Sequence, residues 1–184
     1  CAQLLKERGC EPLIFHATGG GGRSMEELIE EGHCQAVLDI TTTEWADELC
    51  DGILSAGSTR LDGPGKAKIP HVIVPGCLDM VNFGSASTVP EKYKTGRILY
   101  EWNPMVTLMR TNRQENEQLG RILAQKANAS PAPVAFAFPL RGNASLTVRR
   151  TASCSTRSAR RFERVFPSSR WTPTSTMICL HKRR

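Results

Sequence analysis

Short apolar runs alternate with helical patterns through the first 142 residues of the chain. Pro12 to Phe15, Ala36 to Ile40, His71 to Val74 and Val134 to Phe138 are apolar almost throughout, and Ile98 to Tyr100 is a shorter candidate of the same kind. Strands of that composition are buried on both faces, and helices between them imply a parallel sheet covered on each side. The helical segments carry their own start and stop signals. Ser24 with Glu27 and Thr41 with Glu44 have the S/T-x-x-E spacing of a capping box. Met25, Leu28 and Ile29 form an apolar stripe that Gly32 ends, and Trp45 to Cys50 follows the second box. Thr111 with Gln114 opens a further helix with Leu119, Ile122 and Leu123 on one face, and Ala2 to Arg8 reads as a helix end closed by Gly9. The pattern predicts an α/β fold over residues 1–142, an open parallel sheet with flanking helices.

From Asn143 the pattern stops. Thirteen of the last 42 residues are Ser or Thr, ten are Lys or Arg, and the apolar residues follow neither helical nor strand periodicity. Residues 143–184 are therefore expected to be a non-native or disordered basic tail. A reverse translation with GC-rich codons, read from the third base, turns Arg170 to Ile178 into VDAHINDD. The same shift turns Ser153 to Trp171 into LFDALRASFRARFPVIEVD, an amphipathic helix followed by an apolar strand. The tail thus reads as an out-of-frame translation of a continuing α/β pattern, and it should pack poorly. The first residue is Cys1 and a helix is already under way there, so the chain reads as a fragment, a truncated α/β domain.

Charge and cysteines narrow the function. The net charge of +6 divides into −3 over residues 1–142 and +9 over residues 143–184, so the basic character belongs to the tail. A nucleic-acid footprint is missing from the folded part, and specific nucleic-acid binding is not expected. The seven cysteines are odd in number and irregularly spaced, without a C-x-x-C pair, which favours free thiols and a cytoplasmic protein over a disulfide framework or a zinc site. No apolar stretch reaches the length of a membrane span, so no membrane partner is expected.

The strongest local signal is Gly19, Gly20, Gly21 and Gly22 between a strand and a helix start, followed by Arg23. Backbone N–H groups there suit a phosphate, although the spacing matches neither a Walker A loop nor G-x-G-x-x-G. The segment D-I-T-T-T-E, from Asp39 through Thr41, Thr42 and Thr43 to Glu44, sets an acid and three hydroxyls at the strand edge where open parallel sheets bind ligands. Thr41 and Glu44 are equally explained as a capping box. Ser55 and Gly57, then Asp79 and Asn82, occupy similar places after later elements. His16 ends a strand beside the glycines, and Cys77 follows a Pro-Gly break without a base to activate it. No catalytic triad or metal-ligand set is present in the sequence, so the catalytic residues are not assigned.

Four segments carry a resemblance: FHATGGGGRSMEELIEEG, DITTTEWADELCDGILSAGSTRL, IPHVIVPGCLDMVNFG and NPMVTLMRTNRQENEQLGRILAQK. Together they resemble the C-terminal half of an uncharacterised family, the tobamovirus-resistance-protein-like ATP-binding domain proteins. The resemblance covers residues 1–142. It implies a Rossmann-like subdomain, a missing N-terminal subdomain, ATP with magnesium as cofactor, and a homo-oligomer in the intact relatives. The motif positions it carries over are Gly19 to Gly22 with Arg23, Thr41 to Glu44, Ser55 to Gly57, and Asp79 with Asn82. The family's ending includes a segment like VDAHIND, the string obtained from the shifted frame. The functions in view are a nucleotide-binding domain of unknown biochemical role, a protein-interaction domain with a structural nucleotide, or an enzyme acting on a metabolite. A fragment of this kind is expected to bind ATP poorly.

Overall fold

A computed structural model describes residues 2–138 and 176–182. The elements run α1 (Ala2–Glu7), β1 (Cys10–His16), α2 (Gly20–Glu30), β2 (Ala36–Asp39), α3 (Glu44–Cys50), α4 (Gly63–Lys66) and β3 (His71–Ile73). They continue with β4 (Met80–Phe83), a 3-10 turn at Ala86–Thr88, α5 (Glu91–Lys94), β5 (Leu99–Asn103), β6 (Val106–Arg110), α6 (Arg113–Ala129), β7 (Val134–Phe136) and β8 (Thr176–Lys182).

A five-stranded sheet has the order β1-β8-β2-β3-β7. β2 pairs with β3 and β3 with β7 in parallel, while β8 lies antiparallel to both β1 and β2. The four strands expected from their apolar runs therefore share one direction, as the sequence implied. The fifth runs against them and makes the sheet mixed. Side chains of β8 alternate between two cores: Met177 and Cys179 pack with Met25, Ile29 and Val37, and Ile178 packs with Leu5 and Leu38. Burial of Met177 and Ile178 contributes roughly 1.5 to 3 kcal/mol each.

The expectation of a poorly packed tail thus fails at residues 176–182. Four consecutive apolar residues, Met177 to Leu180, suit a strand covered on both faces; the run is too short to register as a periodicity. The out-of-frame reading loses the support that poor packing would have lent it, and the rest of the segment, from residue 143 to 175, lies outside the described residues. Free thiols are likewise not the whole picture. Cys34 and Cys179, 145 residues apart in sequence, form a disulfide that ties the turn before β2 to β8.

The second sheet is antiparallel, in the order β4-β6-β5. Of the Ile98 to Tyr100 candidate, Leu99 and Tyr100 belong to β5 here and not to the parallel sheet. β4 and β6 escaped the sequence reading because each is half-buried and mixes polar with apolar residues: Val81, Phe83, Thr107 and Met109 face inward, while Asn82 and Leu108 face out. Val81, Phe83 and Met109 join Trp45, Ile73, Leu119 and Leu123 in the largest core cluster. Helix α6 opens one residue later than expected, on Asn112. That side chain accepts from Glu115 N at 2.9 Å while Glu115 Oε2 accepts from Asn112 N at 2.7 Å. Among the described residues no helix is long and apolar enough to cross a membrane.

Candidate functional site

The common direction of β1, β2 and β3 brings their C-terminal ends, His16, Asp39 and Ile73, to one edge of the sheet. The loops that leave β2 and β3 are stitched together there. Thr42 donates its backbone N–H to Gly76 O at 3.1 Å and its hydroxyl to Val74 O at 3.2 Å. Beside them a cleft of about 240 Å3 opens between this edge and the outward face of β4 and β6. His16, Thr18, Thr43, Cys77, Asp79 and Asn82 line it together with Leu54, Met80 and Leu108. Open α/β sheets bind ligands at this edge.

Charge in the cleft is arranged by groups just behind it. Asp47, fully buried on α3, accepts from Asn82 N and Asn82 Nδ2, each at 2.9 Å, and from Leu54 N at 3.3 Å. Burial pushes the Asp47 carboxyl up to about 6 against the pull of the Asn82 hydrogen bonds. The Asn82 carboxamide is thereby fixed in the cleft wall. Asp79 is paired with Arg110 at 2.6 Å, and the Thr43 hydroxyl donates to Met80 O at 3.4 Å. Burial, with the Asp79 charge, raises the Cys77 thiol above its ordinary range, which opposes any use as a thiolate nucleophile.

The glycines occupy a different setting. Gly20, Gly21 and Gly22 are not loop residues but the first turn of α2, and Gly19 is its N-cap at φ 76°. The Ser24–Glu27 box is therefore absent. The helix N-terminus does cradle an anion, and that anion belongs to the protein: Glu44 Oε1 accepts from Gly19 N at 2.7 Å and from Gly22 N at 3.2 Å. A Cβ on Gly22 would lie 2.4 Å from the Glu44 carboxylate, so only glycine lets the acid approach the turn. The Thr41–Glu44 box is absent as well, because the Glu44 side chain is committed to α2 and Thr43 caps α3 without a side-chain bond.

Arg60 holds the Glu44 carboxylate from the other side, with Nε at 2.8 Å from Oε2. It is 2% exposed and is the hub of a buried cluster. Its guanidinium also bonds both oxygens of Asp39, and Nη1 reaches Glu26 Oε1 at 3.0 Å. His71 Nε2 contacts Asp39 Oδ2 at 2.8 Å, and Glu26 accepts the N–H groups of Leu61 and Gly63 at 2.7 and 2.6 Å. Burial alone would raise the Asp39 carboxyl, but Arg60 and His71 outweigh it and hold it down near 2. At Glu44 burial wins over Arg60, and the shift is upward.

The structure thus sorts the expected residues. Thr43, Asp79 and Asn82 meet in the cleft with His16 and Cys77. Gly19, Gly22 and Glu44 belong to the ion cluster, while Gly20 and Gly21 complete the same helical turn. Arg23, Ser55 and Gly57 form a flank, in which Arg23 Nη1 donates to Ser55 O at 2.9 Å and Gly57 N to Ser55 Oγ at 2.9 Å. Thr41 and Thr42 are buried behind the edge. Arg60 was missed: it is a lone arginine in a Ser-Thr-Arg-Leu stretch, and no spacing ties it to acids from three other elements. Among the described residues no three His, Cys, Asp or Glu side chains are grouped to hold a metal ion.

Comparison with known proteins agrees with the resemblance seen in the sequence. A family model described as the C-terminal domain of the uncharacterised protein family UPF0261 matches residues 1–169. A UPF0261 protein of Clostridium tetani is 49% identical over 140 residues, covering 76% of this chain and 34% of the relative. One from Rhizobium meliloti is 46% identical over 136 residues, covering 74% and 34%. The ToMV resistance protein Tm-1(GCR237) of Solanum lycopersicum is 43% identical over 150 residues, covering 79% of this chain and 20% of its own length. The chain spans about a third of the length of these bacterial relatives.

Proposed function

The chain belongs to the UPF0261 family, and we propose that its cleft is this domain's share of a nucleotide site, with ATP and magnesium as the occupant. The observation that carries the reading is the convergence of His16, Thr18, Thr43, Asp79 and Asn82 at the C-terminal edge of the parallel strands. The His16 ring can donate to a phosphate oxygen, and the Thr18 and Thr43 hydroxyls, which donate to His16 O and Met80 O at a long 3.4 Å, can turn to do the same. The α2 N-terminus fits that role poorly, since the Glu44 carboxylate already takes the N–H groups of Gly19 and Gly22. Magnesium is commonly held by one or two carboxylates together with the phosphates of its nucleotide. Here Asp79 is the cleft carboxylate suited to the metal, and Arg110 balances its charge. A bound magnesium nucleotide would supply the Lewis acid and the transferable phosphoryl group. Asn82, held by Asp47, orients the ligand.

The matched segment covers only 34% of these relatives, so the remaining walls are assigned to their N-terminal subdomain or to a second copy in a homo-oligomer. This chain then carries a partial site, with a dissociation constant on the order of 1 mM. Thermal unfolding with magnesium-ATP is the test. At ten times that concentration a native-state ligand adds about 1.4 kcal/mol to stability, so the melt should rise by a few degrees, and Thr43→Val with Asn82→Leu should abolish the rise. A melt that stays fixed in the unaltered protein, or that rises equally in the double variant, refutes the reading.

A further inference from the structure

The cleft is too small for the ligand just proposed. Sites for small molecules and cofactors enclose about 300 to 1,000 Å3, whereas this one offers about 240 Å3. Some of a nucleotide must therefore lie outside it. On the side of α2 the space is taken by the Glu44 carboxylate and its glycine turn. On the opposite side the cleft wall continues as open sheet. Asn82 and Leu108, both lining the cleft, are partners across β4 and β6, and Leu108 is in turn the partner of Tyr100 across β6 and β5. Side chains opposite one another on neighbouring strands share a face, and strands lie about 4.8 Å apart. The Tyr100 position is thus roughly 10 Å from Asn82 along one continuous face.

That face ends in aromatic rings turned to solvent. Tyr100 is 55% and Trp102 66% exposed, and their rings meet edge-on with centroids 6.3 Å apart. A register shift between Glu101 and Asn103 makes Trp102 the extra residue of a bulge, a device that re-aims a side chain and is frequent next to functional sites. Ile98 and Met105, 74% and 73% exposed, stand on the same hairpin. Exposed apolar residues scattered singly need no explanation, but four on one hairpin whose Leu108 lines a cleft do.

We infer that Tyr100 and Trp102 form a stacking platform for the planar base of the nucleotide whose phosphates occupy the cleft. The inference rests on the nucleotide reading and adds to it the place where the ring is held, at the end of the ligand remote from its phosphates. Ring stacking on an aromatic side chain is sequence-tolerant among bases, and its loss weakens binding roughly five- to hundredfold. The platform should therefore discriminate ringed from ringless phosphates, with little preference between purines.

The experiment compares magnesium-ATP with magnesium-tripolyphosphate by calorimetry on the full chain, in the unaltered protein and in Tyr100→Ala, Trp102→Ala and Trp102→Phe. Both side chains are largely exposed, and a circular dichroism melt matching that of the unaltered protein checks each variant's fold. Expected is tighter binding of ATP than of tripolyphosphate, an ATP affinity about tenfold lower in either alanine variant, an unchanged tripolyphosphate affinity, and recovery in Trp102→Phe. Equal affinity for the two ligands in the unaltered protein, together with loss of both in Asn82→Leu, would overturn the platform and leave the cleft reading standing. Binding of neither ligand would overturn both. Sedimentation of the same variants covers the remaining occupant. A change of oligomeric state in Trp102→Ala, with ATP selectivity unchanged, would assign the face to a second copy of the chain and overturn the stacking role.

Discussion

Two polar regions lie side by side at the C-terminal edge of the sheet, and they differ in whether their hydrogen bonds close. Around Arg60, three carboxylates, an imidazole and the glycine turn satisfy one another, and only Glu26 at the margin keeps some exposure. In the cleft, Asn82 and Asp79 are held from behind or beside and face open space. Residue type alone would rank the first region as the binding site, since glycines at a helix start are the familiar anion cradle. The structure shows that a cradle can be built to hold the protein's own acid. Function is sought where polar groups are positioned but not exhausted.

The largest effect should come from breaking the closed region. Arg60→Met leaves Asp39, Glu44 and Glu26 without their common cation, and losing one partner of a buried ion cluster typically costs about 3 to 5 kcal/mol. Urea unfolding should show a loss of that size. A loss under about 1 kcal/mol would mean that the cluster is not closed as described.

Next in size is Gly21→Ala. An added Cβ would sit 1.9 Å from the backbone oxygen of His16, and forcing atoms into a packed turn costs about 3 kcal/mol. The same titration measures it. The added Cβ displaces His16, which lines the cleft, so ATP binding should weaken together with stability. A binding loss at full stability would return the glycines to the site.

The two regions also differ in their response to acid. The Asp39 carboxyl, near 2 when folded, supports the fold above its ordinary range of about 3.9, and this support is lost as pH falls through about 2. The Asp47 carboxyl, near 6, holds its proton more tightly when folded. It favours folding below about pH 4, and that contribution fades as pH rises through about 6. Asp47→Asn should flatten the stability curve between pH 4 and 6, by up to about 2 kcal/mol, and leave the acid limb set by Asp39 in place. An unaltered curve would show that Asp47 titrates normally.

The smallest effect belongs to Gly20→Ala. Nothing lies within 4 Å of the added Cβ, and the residue is helical, so stability should rise by up to about 1 kcal/mol. Thermal unfolding that shows a fall would put an unrecognised contact at this position.

Much of this was legible in the chain. Continuous apolar runs located β1, β2, β3 and β7, because strands buried on both faces need no polar alternation. The candidates Thr43, Asp79 and Asn82 were found from their place after strand ends. What escaped was set by distant partners. Ser24 and Glu27 have capping-box spacing, yet the α2 N–H groups are taken by Glu44 from another element. Thr111 and Asn112 compete for one helix start, and Asn112 prevails while the Thr111 hydroxyl turns to Leu78 O at 3.1 Å. Arg60 and the strand β8 carry no local periodicity at all.

β8 has a consequence for the order in which the molecule is made. β1 and β2 do not pair with each other; each pairs with a strand that follows them by well over a hundred residues, in a sheet closed by a disulfide between cysteines 145 residues apart. At a synthesis rate of about 5 to 20 residues per second, about 7 to 30 seconds separate Cys34 from Cys179. Through that interval two apolar strands stand with open edges, the condition under which a nascent chain pairs with the wrong partner. Contacts of such long range also slow the search itself. Completion of the sheet is thus a late event, timed by the ribosome and by the availability of an oxidant.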